Sequence, residues 1–170
     1  MLKWIGALMI IGAAAVQSIN ASAVLRSRCG IISELIAALK AMESEICDRL
    51  TPLPELFAEL GEGEGAVGGM FKNCLRQMSD MEGREFHAVW KSAVKATPEL
   101  MLKEQEEKEL IQLGRYLGRY DVEEQRMALQ YAAKRFEEFL RKAERERETQ
   151  GRTRAAMGIS AGVTAVILLL

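Results

Sequence analysis

One histidine, three cysteines, a carboxylate pair and a glycine-rich stretch are the residues here that could carry chemistry. His87 lies between Phe86 and Val89 beside an apolar stripe, with no Ser, Cys or Asp at a motif spacing that would make it half of a nucleophilic pair. It reads as a surface or boundary residue. Cys29, Cys47 and Cys74 are odd in number and lack metal-ligand spacing, so free thiols in a reducing compartment are expected. Glu43 and Glu45 flank Met42 and Ile46. Two residues apart on a helix they point to different faces, which argues against an acid/base pair and leaves a partner contact, a bond to a neighbouring helix or a solvated edge. Gly63, Gly65 and Gly68 spell G-x-G-x-x-G, the dinucleotide fingerprint. That motif needs a preceding strand within a βαβ unit. Here a helical pattern precedes, Glu62 and Glu64 would repel a phosphate, and no Lys-Ser or Lys-Thr follows, so the stretch reads as a flexible turn. Met70, Met78 and Met81 look like adaptable core filling. No catalytic, cofactor or metal residue emerges, and the chain is read as a non-enzyme without a small-molecule substrate.

The elements that must position these residues are helical. The 170 residues hold only 6% aromatics and three prolines, and the formal net charge is −1. No basic excess is available to hold a phosphate backbone, which weighs against nucleic acid. Ile32, Leu35, Leu39, Met42 and Ile46 recur at spacings of three and four, the mark of one helical face. Thr51-Pro52-Leu53-Pro54-Glu55 should end that helix and start a second, with Thr51 as N-cap and Leu53, Leu56, Phe57 and Leu60 inward. Val67, Met70, Phe71, Cys74, Leu75 and Met78 form a third stripe, and Phe86, Val89, Trp90, Ala93 and Val94 a fourth. Thr97-Pro98-Glu99 is expected to open a fifth helix facing inward with Leu110, Leu113, Gly114 and Leu117. Gly114 and Gly118, four apart, would let a neighbouring backbone approach closely. Asp121 is a ready N-cap for a sixth helix with Leu129, Ala133, Phe136, Leu140 and Ala143 inside.

Both ends differ from this middle. All charge except Lys3 lies between Arg26 and Arg154. Trp4–Leu25 amounts to about 33 Å of helix, enough for a bilayer core, and Ala155–Leu170 to about 24 Å, which snorkelling by Arg152 and Arg154 could extend. Arg26 and Arg28 follow the first run, and Arg152 and Arg154 precede the second, so the middle should face the cytoplasm. Gly158 and Gly162 form a GxxxG pattern, and Ala14, Ser18 and Ser22 a small-residue row, which suits close packing of the two spans. The expected fold is all-α: a compact antiparallel bundle of about six helices flanked by N- and C-terminal transmembrane helices. Its divisions are an anchor at 1–25, a cytoplasmic bundle at 26–143, a charged stalk helix at 144–154 and a second anchor at 155–170.

Two motifs carry a resemblance. Met42-Glu43-Ser44-Glu45-Ile46 followed by Thr51-Pro52-Leu53-Pro54-Glu55 resembles an L-E-x-E-I … T-P-L-P-E signature, and Leu113-Gly114-Arg115-Tyr116-Leu117-Gly118 with Asp121 and Gln125 resembles L-G-x-x-L-G-x-S-D-x-x-x-Q. With the Met1-Leu2-Lys3 start and apolar C-terminus, the likeness to the stage III sporulation protein AB family covers nearly the whole chain. Tyr120 departs from it, standing where the family has Ser, which leaves Asp121 to cap the sixth helix alone. The resemblance implies a soluble part similar to the cytoplasmic domain of the type II secretion platform protein F. It also implies a place in the channel between mother cell and forespore, in the outer forespore membrane with the domain in the mother-cell cytoplasm. The implied partners are the membrane, a secretion-type ATPase (stage III sporulation protein AA) and other channel subunits. Glu43, Glu45, Thr51, Pro52, Pro54 and Glu55 are then candidate contact residues.

A rival reading takes Lys3, Trp4–Val16 and Ala21-Ser22-Ala23 as a signal peptide and its cleavage site, giving a C-terminally tethered extracytoplasmic binding protein. The mature N-terminus separates the two. A retained anchor predicts a mass corresponding to intact Met1 or Leu2, and a species beginning at Val24 would replace it with the rival.

Overall fold

The computed structural model describes residues 23–79, 85–118 and 121–149 in full and the helical backbone alone of 2–22 and 150–169. Among the described residues there are six α-helices and no strand: α1 (Leu2–Glu43), α2 (Leu53–Gly61), α3 (Ala66–Ser79), α4 (Phe86–Lys95), α5 (Glu104–Leu113) and α6 (Val122–Leu169). A π turn, Ser44–Asp48, follows α1, and a 3₁₀ turn, Pro98–Leu100, lies between α4 and α5. The chain divides into a compact unit, Gly30–Leu140, and a second made of Met1–Cys29 with Arg141–Leu170. Among the described residues no helix is long and apolar enough to cross a membrane. Of the first expected anchor only 23–25 is described in full. The second, with Arg152, Arg154, Gly158 and Gly162, lies outside the fully described residues, as do Trp4 and the Ala14–Ser18–Ser22 row.

Within Gly30–Leu140 the stripes meet in one core. Ile32, Leu35, Leu39, Met42 and Ile46 are all buried, as are Leu56 and Phe57, Val67, Met70, Phe71 and Cys74, and Val89, Trp90, Ala93 and Val94. Leu53, Leu60, Leu75, Met78, Phe86 and Leu140 are only half-buried, while Phe139 and Ala132, outside the expected α6 stripe, are buried. Successive helices pack on one another from α2 to α5. Phe57 of α2 packs against Phe71 of α3 (5.2 Å between ring centroids) and Trp90 of α4 (5.8 Å), with Phe86 at 6.1 Å. Such aromatic pairs add about 0.5–1.5 kcal/mol each beyond the area they bury. Burial pushes the Cys74 thiol up to about 12, so it stays protonated at neutral pH and supplies no nucleophile.

Within Gly30–Leu140, the end of α1 and the first part of α6 lie side by side and run antiparallel. Lys40 Nζ pairs with Glu137 (2.8 Å), Gln130 Nε2 donates to Glu43 (2.7 Å), and Arg126 Nη2 donates to Asp48 (3.0 Å). As the α1 partner advances, its α6 partner retreats, which only antiparallel helices allow.

Two local expectations are corrected. Thr51 does not cap α2; Pro52 holds that position with no side-chain cap bond, because the Thr51 hydroxyl donates to Glu45 instead. Thr97-Pro98-Glu99 opens a single 3₁₀ turn and not a helix. The Thr97 hydroxyl is spent donating back to the Ala93 carbonyl (2.9 Å), and Met101 then takes a left-handed φ of 50°, which breaks the chain direction. The fifth helix starts at Glu104, where Lys103 N–H donates to Glu106 Oε2 (2.8 Å) in a capping box. The glycine fingerprint is a tight junction between α2 and α3: Gly65 has φ +95°, and a Cβ at Gly68 would lie 1.9 Å from the Gly63 carbonyl oxygen.

At the end of α5, the carbonyls of Ile111, Gln112 and Leu113 accept from Gly114, Arg115 and Tyr116 in i+3 bonds. The Leu110 carbonyl accepts the Trp90 indole N–H at 2.7 Å. Gly114 makes room for that indole, since a Cβ there would lie 2.3 Å from Trp90 Cδ1. The close approach at Gly114 is thus to a side chain, where a backbone was expected. Gly118, with φ +76°, is a turn residue whose Cβ would meet Leu53 Cδ1 at 3.3 Å. Gly114→Ala should push the ring off the helix end and lower stability by about 1–3 kcal/mol, and Gly114→Leu by at least as much. Urea unfolding of the full chain checks this; an unchanged midpoint refutes it.

Candidate docking surfaces

Glu43 and Glu45, two residues apart in the motif, have separate tasks. Glu43 accepts from Gln130 of α6 and lies 3.9 Å from Arg126. Glu45 turns back on its own segment, accepting from Thr51 Oγ1 (2.8 Å) and Arg49 Nη1 (2.6 Å), while its carbonyl accepts Thr51 N–H (2.8 Å). The same two residues are therefore bonded through side chain and main chain. Their two hydrogen bonds close a reversal in which Leu50 adopts a left-handed φ of 57° with 68% of its surface exposed. A left-handed leucine costs about 1–3 kcal/mol and persists only where its surroundings fix it. Here the fixing bonds are visible.

Arg126 ties this reversal to α6, donating to the Cys47 carbonyl (3.3 Å) as well as to Asp48. The Cys47 thiol reaches the Val122 carbonyl at 3.8 Å, and burial pushes that thiol's pKa up. Asp121 Oδ1 accepts the N–H groups of Glu123 (2.9 Å) and Glu124 (3.2 Å), an N-cap in geometry as well as in sequence. Gln125, buried, accepts the Gly118 N–H at 3.2 Å and so holds the α5–α6 turn. Pro52 and Pro54 are exposed at the start of α2, and Glu55 is the acid of its first turn, where the helix dipole favours it. Arg26 is exposed and Arg28 buried, both in the unit of Met1–Cys29 and Arg141–Leu170. His87 is half-buried, with its Nδ1 lacking a hydrogen-bond partner among the described residues.

A second feature was not foreseen from the sequence. Between α5 and α6 lies an open groove of about 350 Å³. Leu113 and Ala132 form its buried floor, and Tyr116, Met127 and Tyr131 its walls; Glu109, Gln112, Glu124 and Ala128 complete it. Three of the six large apolar side chains exposed among the described residues are those walls: Met127 at 62%, Tyr131 at 59% and Tyr116 at 38%. Convergence on one groove distinguishes them from the scattered apolar residues normal on a surface. The available signal was a surplus of apolar residues around 122–133 beyond what one core stripe uses.

The family model of stage III sporulation protein AB matches residues 3–170. A solved structure titled stage III sporulation protein AB is similar at 27% identity and a TM-score of 0.66, covering 72% of this chain and 97% of that one. No curated protein matches the chain.

The Glu45–Thr51 pair gives a test. Thr51→Val should remove a charge-assisted bond and cost about 1–2 kcal/mol, while Thr51→Ser keeps it. Thermal unfolding of both variants checks this, and equal losses would contradict the assignment.

Proposed function

The chain belongs to the stage III sporulation protein AB family, and on that premise we propose that it is a non-enzymatic, two-pass membrane platform in the channel between mother cell and forespore. Family membership supports a component of that channel. Beyond it, the reading is that two end anchors hold the bundle at the outer forespore membrane. The bundle then faces the mother-cell cytoplasm as a type II secretion F-like domain and docks a secretion-type ATPase, stage III sporulation protein AA.

The observation that carries the proposal is the extent of the family match, 3–170, which takes in both apolar ends as well as the bundle. The orientation is supported by Arg26, Arg28, Arg152 and Arg154, each on the inner side of its apolar run. Docking is supported by the exposed Tyr116, Met127 and Tyr131, since buried aromatic anchors dominate binding energy at protein interfaces.

The direct test is co-purification of the ATPase with the full chain in detergent. Co-elution is the expected result, and no association at high concentrations of both removes the docking role. Protease added to membrane vesicles of known orientation should cut the middle domain only from the cytoplasmic side.

A further inference from the structure

We propose that residues 44–51 form a strained clasp that opens and recloses on its own while the bundle around it stays folded. Closed, it holds the Leu50 side chain out in water at a fixed place. Open, it releases Leu50 from that place and uncovers Cys47. The clasp is a property of the fold and depends on no partner.

The two halves of one sequence motif make the clasp by bonding to each other. Glu45 comes from Met42-Glu43-Ser44-Glu45-Ile46 and Thr51 from Thr51-Pro52-Leu53-Pro54-Glu55, and they join through side chain and main chain. The reversal they enclose resembles a helix C-cap, where a left-handed residue turns the chain and the next N–H reaches back to a carbonyl of the last turn. Glycine, or sometimes asparagine, fills that place at little cost. Leu50 fills it here, with its φ of 57°. Leucine suits neither the turn, which crowds its Cβ, nor the surface on which it stands.

Little besides those bonds holds the segment shut. Of residues 44–51 only Ile46 and Cys47 are buried. The bonds lie where water competes for them: the Arg49 and Asp48 side chains are 71% and 57% exposed. On either side the chain is pinned in the core, by Met42 before the segment and by Leu56 and Phe57 after it. Few buried apolar contacts and exposed hydrogen bonds between two fixed points mark a segment that opens locally. Strain at Leu50 drives the same way, since it is stored in the closed state and released in the open one. Arg126 opposes it from α6 through the Cys47 carbonyl and Asp48.

Thiol labelling of the full chain in detergent tests this, with iodoacetamide as reagent and peptide masses to tell the thiols apart. Cys47, held against the Val122 carbonyl with its pKa pushed up by burial, reacts only through the open clasp. Cys74, wholly buried in the core, reacts only when the bundle unfolds. Cys47 should therefore react at least about a hundredfold faster than Cys74, with a rate that rises far less steeply in urea. Leu50→Asn, which suits the left-handed turn, should slow Cys47 about threefold, and Leu50→Val, whose branched Cβ suits it least, should speed it by about as much. Gly114→Ala, which loosens the core elsewhere, should speed Cys74 and leave Cys47 unchanged. Exchange of the hydrogen-bonded Arg49 and Thr51 amides supplies a readout free of thiol chemistry and should follow Cys47 in all three variants. Equal rates and urea slopes for Cys47 and Cys74 would overturn the proposal, because global unfolding alone would then reach the thiol. So would a Cys47 rate that rises with Gly114→Ala as Cys74 does, or one indifferent to both Leu50 variants.

Discussion

The bond from Trp90 Nε1 to the Leu110 carbonyl, 2.7 Å long and fully buried, fixes the relation of α4 to α5 and with it most of the core. An indole N–H buried without an acceptor would cost about 1–3 kcal/mol. A carbonyl in the last turn of a helix has no intrahelical donor guaranteed to it. Each group solves the other's problem. The bond requires the ring to lie across the end of α5, and only a glycine at position 114 leaves the space. Once seated, Trp90 lies 5.8 Å from Phe57 and 6.1 Å from Phe71, so the position of the indole is passed on to α2 and α3 through ring packing.

The α1–α6 seam is organised differently. Its ion pairs are largely solvent-exposed: Lys40 and Glu137 are 58% and 38% exposed. Pairs of that kind contribute about 0–1 kcal/mol each. Their value lies in register, since Lys40, Glu43 and Asp48 each meet their partners level on α6, with Glu43 between Gln130 and Arg126. Arg126 is the exception in shape, reaching a backbone carbonyl and Asp48 together. It fastens the π turn that Glu45 and Thr51 have already closed from within.

Periodicity made the buried faces legible: every residue of the Ile32–Ile46 stripe is buried, and the apolar stripes of α3 and α4 needed only marginal adjustment. Capping was less legible, because a hydroxyl has several possible acceptors. Thr51 and Thr97 both sit just before a proline, where an N-cap is expected, yet both donate backwards, to Glu45 and to Ala93. Asp121, whose carboxylate cannot donate, caps as expected. Gly114 was recognised as a packing glycine, but its neighbour is a side chain twenty-four residues away in sequence, which helical spacing alone does not reveal. The groove left only that apolar surplus around 122–133 in the sequence, for a related reason. Tyr116, Met127 and Tyr131 are ordinary helix-surface residues until tertiary structure brings two helices side by side.

The N-terminal half of α6 then poses a question of economy. Around its axis, Leu129, Ala133 and Phe136 face the core, and Arg126, Gln130 and Glu137 face α1. One apolar stripe is what a surface helix needs to be held in a bundle. Met127 and Tyr131 lie on the remaining side, more than half exposed, with small residues between them and no core to complete. Exposed apolar surface of this kind favours association and adds nothing to the stability of the isolated fold. A chain whose core is already closed by Trp90, and whose seam is already in register through Arg126, has no folding reason to keep that third side apolar. The reason must lie in what the third side meets.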